Sequence, residues 1–117
     1  MKQVLVVDDV AEVRLVLKAL LESPDLAILE AADGEQALQV LSGDDVDLVI
    51  TDCQMPRMSG LDLMRQVRDN HPSLPFIVVS STAEPEDFRE LKPSAIMGKP
   101  FQLMELKEAV EEALGES

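Results

Sequence analysis

Val46-Asp47-Leu48-Val49-Ile50-Thr51-Asp52 is a β-branched, apolar run with a carboxylate at its far end, and Cys53-Gln54-Met55-Pro56-Arg57-Met58-Ser59-Gly60 continues it as a turn carrying Pro and Gly. Short apolar runs bounded by turn residues form buried strands, and the turn leads here into a helical pattern. Asp52 therefore falls at the carboxyl end of a strand, the edge at which open α/β sheets place their ligands. An ionised group at the rim of an apolar core costs free energy unless it is paired or solvated. Asp52 needs a partner from elsewhere in the chain.

Outward from that strand, the same alternation repeats. Gln3 to Val7 reads as a first strand ending in Asp8-Asp9, and Val13, Val16, Leu17 and Leu20 recur at the spacing of a helix that packs one face on a core. Ser23-Pro24-Asp25 stops that helix. Leu26 to Ala32 is a second strand, Asp33-Gly34 turns the chain, and Gln36 to Leu41 is a brief helix ended by Ser42-Gly43. Beyond Asp52, Leu61, Met64, Val67 and Arg68 lie on one side of a third helix, closed by Asn70-His71-Pro72. Phe76 to Val79 forms a fourth strand, Pro85 to Leu91 a short helix and Ala95 to Met97 a minimal fifth strand. The last helix, Leu103 to Leu114, carries Leu103, Leu106, Val110 and Ala113 on one face.

Strand and helix alternating five times predict an α/β fold, a doubly wound five-stranded parallel sheet with right-handed helical crossovers and helices on both faces. In strand order 2-1-3-4-5 the switch point lies between the first and third strands, so Asp8, Asp9 and Asp52 converge in one crevice.

Composition narrows the function. A chain of 117 residues fits a single domain, 1–117, with one hydrophobic core. The apolar residues fall in short runs, so no membrane insertion is expected. Met1-Lys2-Gln3 opens directly on a strand with no signal-peptide stretch, and the expected location is cytoplasmic. A single cysteine, Cys53, excludes an internal disulfide and a multi-cysteine metal site; with no basic neighbour in sequence it reads as a packing residue. The net charge of -13 argues against direct nucleic acid binding and favours a basic or cation-bearing partner. His71, between Asn70 and Pro72, reads as a surface residue, and the six methionines as core filler.

Three carboxylates in one crevice repel one another unless a cation joins them. Mg2+ fits best, because it takes oxygen ligands, needs only one or two carboxylates and keeps positions open for a phosphoryl group. Capping of the helix near Val10 is the plainer use of an Asp, yet it accounts for one of the three. Ser80 ends the fourth strand with a hydroxyl donor, and Lys99 stands just past the fifth with an ammonium. Taken singly, Ser80 is a turn residue and Lys99 a surface lysine; together with the acids they form a site for phosphoryl chemistry on a carboxylate.

On these residues the chain resembles the receiver domain of two-component response regulators, the family that includes the chemotaxis response regulator. The resemblance rests on Val6-Val7-Asp8-Asp9, on Asp33-Gly34 before a short helix, on Asp52 with Met55 to Gly60, on Pro75 to Ser81, and on Lys99-Pro100-Phe101. It covers essentially the whole chain and implies a flavodoxin-like fold and a phosphoprotein of signal transduction, not a metabolic enzyme. Asp52 matches the aspartate that takes a phosphoryl group from a sensor histidine kinase or phosphotransfer protein. Asp8 and Asp9 match the acid pair holding Mg2+, Asp9 directly and Asp8 largely through water, and the Gln54 carbonyl matches a further metal ligand. Ser80 matches the hydroxyl residue that turns toward the phosphoryl group, and Lys99 the lysine that pairs with it. The domain would assist its own phosphorylation and autodephosphorylation and act on a downstream effector protein or a fused output domain.

Two departures stand out. Ile96 occupies the position three before the lysine where the family often has an aromatic ring, and the stretch from Ser80 to Lys99 is about one helical turn short. Both favour, mildly, a second reading as a pseudo-receiver, a phosphorylation-independent interaction domain; the intact set Asp8, Asp9, Asp52, Ser80 and Lys99 opposes it. A third reading, a flavodoxin-like cofactor binder, needs a phosphate after the first strand, where Asp8-Asp9 would repel it.

Overall fold

A computed structural model describes residues 2–53, 58–80, 91–98 and 101–115, with the backbone alone for Ser80. Five strands form one parallel sheet: β1 (Lys2–Val7), β2 (Leu26–Ala31), β3 (Leu48–Thr51), β4 (Phe76–Ser80) and β5 (Ala95–Gly98). Their order is β2-β1-β3-β4-β5, the doubly wound order expected for the sheet. Four helices are described: α1 (Ala11–Leu21), α2 (Gly34–Gly43), α3 (Gly60–Asn70) and α4 (Leu103–Ala113). The helix expected over 85–91 lies outside the described residues apart from Leu91. Among the described residues no helix is long and apolar enough to cross a membrane.

Central strands buried on both sides need apolar residues at successive positions, and Val4 to Val7 of β1 and Leu48 to Ile50 of β3 supply them. Leu5 and Val7 of β1 face one way with Val49 of β3 and Phe76 and Val78 of β4, packing under Ala37 and Leu41 of α2 and Leu63, Met64 and Val67 of α3. Val4 and Val6 face the other way with Leu48, Ile50, Ile77 and Val79, under Leu17 and Leu21 of α1 and Leu106 and Val110 of α4. The strand period of two thus divides one sheet between two helical layers.

Several local expectations are revised. Asp33 and Gly34 do more than turn the chain: the Asp33 carboxylate accepts the Gln36 N–H at 2.8 Å and caps α2, and Gly34 is already helical. The helix therefore runs through Gly43 instead of stopping at Leu41. On α1 the packed residues are Val13, Leu17 and Leu21, four apart, while Val16 is 52% exposed. Methionine is not uniformly core: Met64 is buried, but Met104 on α4 is 65% exposed. His71 is exposed as expected and ends α3, its N–H donating to the Val67 carbonyl at 2.6 Å.

Candidate functional site

Parallel strands all end at the same sheet edge, so the residues just past β1 and β3 are brought together there. Val7 is in register with Thr51, and the next residues are Asp8 and Asp52. Single carboxylate oxygens of Asp8, Asp9 and Asp52 all lie within 4.8 Å of one another. Asp8 is 3% exposed, Asp52 half-buried and Asp9 exposed, so the cluster opens to solvent through Asp9. Beneath it a narrow cleft is walled by Val7, Val13, Ile50, Thr51 and Val79. A larger cleft of about 280 Å³ lies at the opposite sheet edge, between the ends of α1 and α4, and shares no residue with the acids.

Asp8 is held by its backbone on both sides. Its N–H donates to the Ala31 carbonyl at 3.1 Å, and its own carbonyl accepts Arg14 Nη1 at 2.6 Å. Arg14 Nε also pairs with Glu30 Oε1 at 3.3 Å, linking α1 to β2 across the end of β1. The capping role considered for Asp8 takes a different form. Its Oδ1 accepts the Val10 N–H at 2.9 Å and holds the turn before α1, whose N-cap is Val10 with no side-chain cap bond.

The site residues inferred from sequence divide in two. Asp8, Asp9 and Asp52 come together. Gln54 and Lys99 lie outside the described residues, as does the Ser80 side chain, although β4 does end at Ser80, in register with Gly98 at the end of β5. Ile96 is half-buried and packs on the core layer shared with α2 and α3. Cys53, half-buried, packs on the same layer, in keeping with a packing role.

Sequence reasoning passes over Arg14 and Thr51. A lone arginine one helical turn beyond two aspartates, and a threonine closing a run of aliphatics, are the available signals.

An acid cluster at the carboxyl edge of a 2-1-3-4-5 parallel sheet defines a class of α/β domain, and comparison with known proteins gives its family. Residues 4–111 match the response regulator receiver domain, and the chain belongs to that family of two-component signalling domains. It is 36% identical to the chemotaxis protein CheY of Pseudomonas aeruginosa over 117 residues, covering 93% of each chain. It is 40% identical to the sensor kinase CckA of Brucella abortus over 116 residues, which is 95% of this chain and 12% of that kinase. Among solved structures, the response regulator protein TrrA of Thermotoga maritima in complex with Mg(2+)-BeF superposes with a TM-score of 0.89 at 33% identity, covering 97% of this chain and all of that one (100%).

Proposed function

We propose that residues 1–117 form one receiver domain whose Asp52 accepts a phosphoryl group from the phosphohistidine of a sensor kinase or phosphotransfer protein. The observation that carries this reading is the meeting of Asp8, Asp9 and Asp52 within 4.8 Å at the end of β1 and β3. Three hard oxygen donors with one exposed member fit a small divalent cation, and Mg2+ bound there would neutralise charge on the transferring oxygens. Asp9 and Asp52 would bind it directly, with Asp8 more indirectly and the Gln54 carbonyl as a further ligand.

In the transfer, one Asp52 carboxylate oxygen forms a bond to phosphorus while the P–N bond breaks, and the imidazole nitrogen leaves with the bonding pair. Lys99 would set an ammonium against the phosphoryl oxygens, and Ser80 would donate a hydroxyl to one of them. Attack of water on phosphorus then returns phosphate and the Asp52 carboxylate. The product alters which effector protein or fused output domain the surface binds, so the domain is a signalling module that assists its own chemistry. The match to one segment of a long kinase and the near full-length match to a chemotaxis protein are compatible with a fused and a stand-alone arrangement alike.

The test is intact mass after incubation with a small phosphodonor and Mg2+. Addition of one phosphoryl group to the wild type and none to Asp52→Asn supports the reading. Addition to neither, with a donor that modifies a known receiver, favours the pseudo-receiver.

A further inference from the structure

Thr51 is the last residue of β3, and its side chain is fully buried. Its register partners on either side are Val7 and Val78, both valines. A buried hydroxyl costs free energy that a valine of the same shape avoids, so its presence calls for a use. The hydroxyl donates to the carbonyl oxygen of Asp52 at 2.9 Å.

Gly60 lies close against the same carbonyl. It is the first residue of α3, and a Cβ added there would lie 2.2 Å from the Asp52 oxygen and 3.1 Å from both the Asp52 carbonyl carbon and Cys53 Cα. These are backbone atoms, so no rotamer change relieves the overlap. The Gly60 N–H donates to the Cys53 carbonyl at 2.9 Å, which keeps the first turn of α3 pressed against the end of β3. The Asp52 N–H, in turn, is held by the Val7 carbonyl at 2.9 Å. Both peptide planes flanking the Asp52 α-carbon are therefore fixed, and with them the direction in which its side chain leaves the backbone.

We infer that Thr51 and Gly60 are positioning residues that clamp the Asp52 peptide and so aim the acceptor carboxylate at Asp8 and Asp9. The inference rests on the proposed role of Asp52. Residues that orient metal-binding carboxylates typically change metal affinity by roughly 10–100-fold when altered, and small misplacements of reacting groups have similar effects on rate.

The test uses the full chain and compares wild type, Thr51→Val, Thr51→Ser, Gly60→Ala and the core variant Val67→Ala. Three quantities are read: the rate of phosphoryl incorporation from a small phosphodonor, the Mg2+ concentration giving half that rate, and the melting temperature. Thr51→Val is expected to slow incorporation or raise the Mg2+ half-point by about tenfold while remaining folded. Thr51→Ser, which restores the hydroxyl but leaves a smaller side chain, should recover most of the loss even if it melts earlier. Val67→Ala should lose stability and keep the wild-type rate. Gly60→Ala should slow incorporation; if it does not fold, the Thr51 pair alone decides. Wild-type rate and half-point in Thr51→Val would overturn the inference, as would a loss in Thr51→Ser that tracks melting temperature. A wild type that takes up no phosphoryl group would instead overturn the acceptor role of Asp52, and the clamp's purpose with it.

Discussion

Asp52 is hydrogen-bonded through its N–H to the carbonyl oxygen of Val7 at 2.9 Å, and the residue after Val7 is Asp8, whose own N–H reaches the Ala31 carbonyl at 3.1 Å. One line of backbone bonds therefore ties the carboxyl ends of β3, β1 and β2 and presents two acids from neighbouring strands at a spacing set by the sheet. With Asp9 they form a cluster of like charges that a cation would relieve.

Binding to the native state alone stabilises it by mass action, so Mg2+ should raise the melting temperature of the wild type. At ten times the dissociation constant the gain is about 1.4 kcal/mol, which for a chain of this size corresponds to several degrees. Asp9→Asn should raise the melting temperature without Mg2+, by removing one repelling charge, and should blunt the response to the ion. Thermal scans with and without Mg2+ at constant ionic strength check both.

Arg68 is a structural cation whose removal should be costly. Its Nε donates to the Leu91 carbonyl at 3.0 Å, its Nη1 to the carbonyls of Leu74 and Pro72, and its guanidinium lies 4.7 Å from the centre of the Phe76 ring. Desolvation by burial lowers its pKa from the ordinary arginine value, and it remains charged at any working pH. Arg68→Leu is expected to lose about 2–3 kcal/mol by leaving carbonyls without a donor. Arg68→Lys should recover little, because a compact ammonium cannot span the same acceptors. Urea unfolding of the three proteins measures this.

Gly34 and Met58 are coupled across the start of α2. A Cβ at Gly34 would lie 2.6 Å from Met58 Sδ and 2.9 Å from its Cβ, so the near end of that side chain, and not only its tip, blocks the space. Gly34→Ala should destabilise the wild type and cost clearly less in a Met58→Gly background, which removes the Met58 Cβ as well as the atoms beyond it. A coupling of about 1 kcal/mol in the double-mutant cycle is expected; additive effects would contradict the contact.

The two faces of α1 should respond unequally to substitution. Leu17, 2% exposed, should lose about 2–5 kcal/mol on truncation to Ala, whereas Leu15→Gln and Val16→Gln, at positions 60% and 52% exposed, should stay within about 0.5 kcal/mol of wild type. Melting temperatures distinguish them.

That difference shows where sequence reading reaches its limit. Apolar residues in α1 recur at both three and four positions, so periodicity assigns Val16 to the core face along with Val13 and Leu17, although Val16 is exposed; only the sheet beneath selects between the overlapping stripes. Asp33-Gly34 carries turn chemistry and helix-start chemistry at once, and the bonds that Asp33 and Gln36 make across the first turn of α2 resolve it as a cap. The meeting of Asp8, Asp9 and Asp52 was legible because strand ends in a parallel sheet share an edge and the expected order 2-1-3-4-5 makes β1 and β3 neighbours. The parts played by Thr51, Gly60 and Arg14 were not, since each depends on a backbone carbonyl whose direction no side-chain pattern encodes.

In the proposed function Asp52 itself carries the phosphoryl group. Borohydride reduction of the protein after reaction with a small phosphodonor and Mg2+ converts an aspartyl phosphate to homoserine, and peptide mass mapping then locates it. Conversion at Asp52 that requires both donor and Mg2+ is the expected result. Conversion at Asp8, Asp9 or another acid, or none at Asp52 under conditions that label a known receiver, would contradict it.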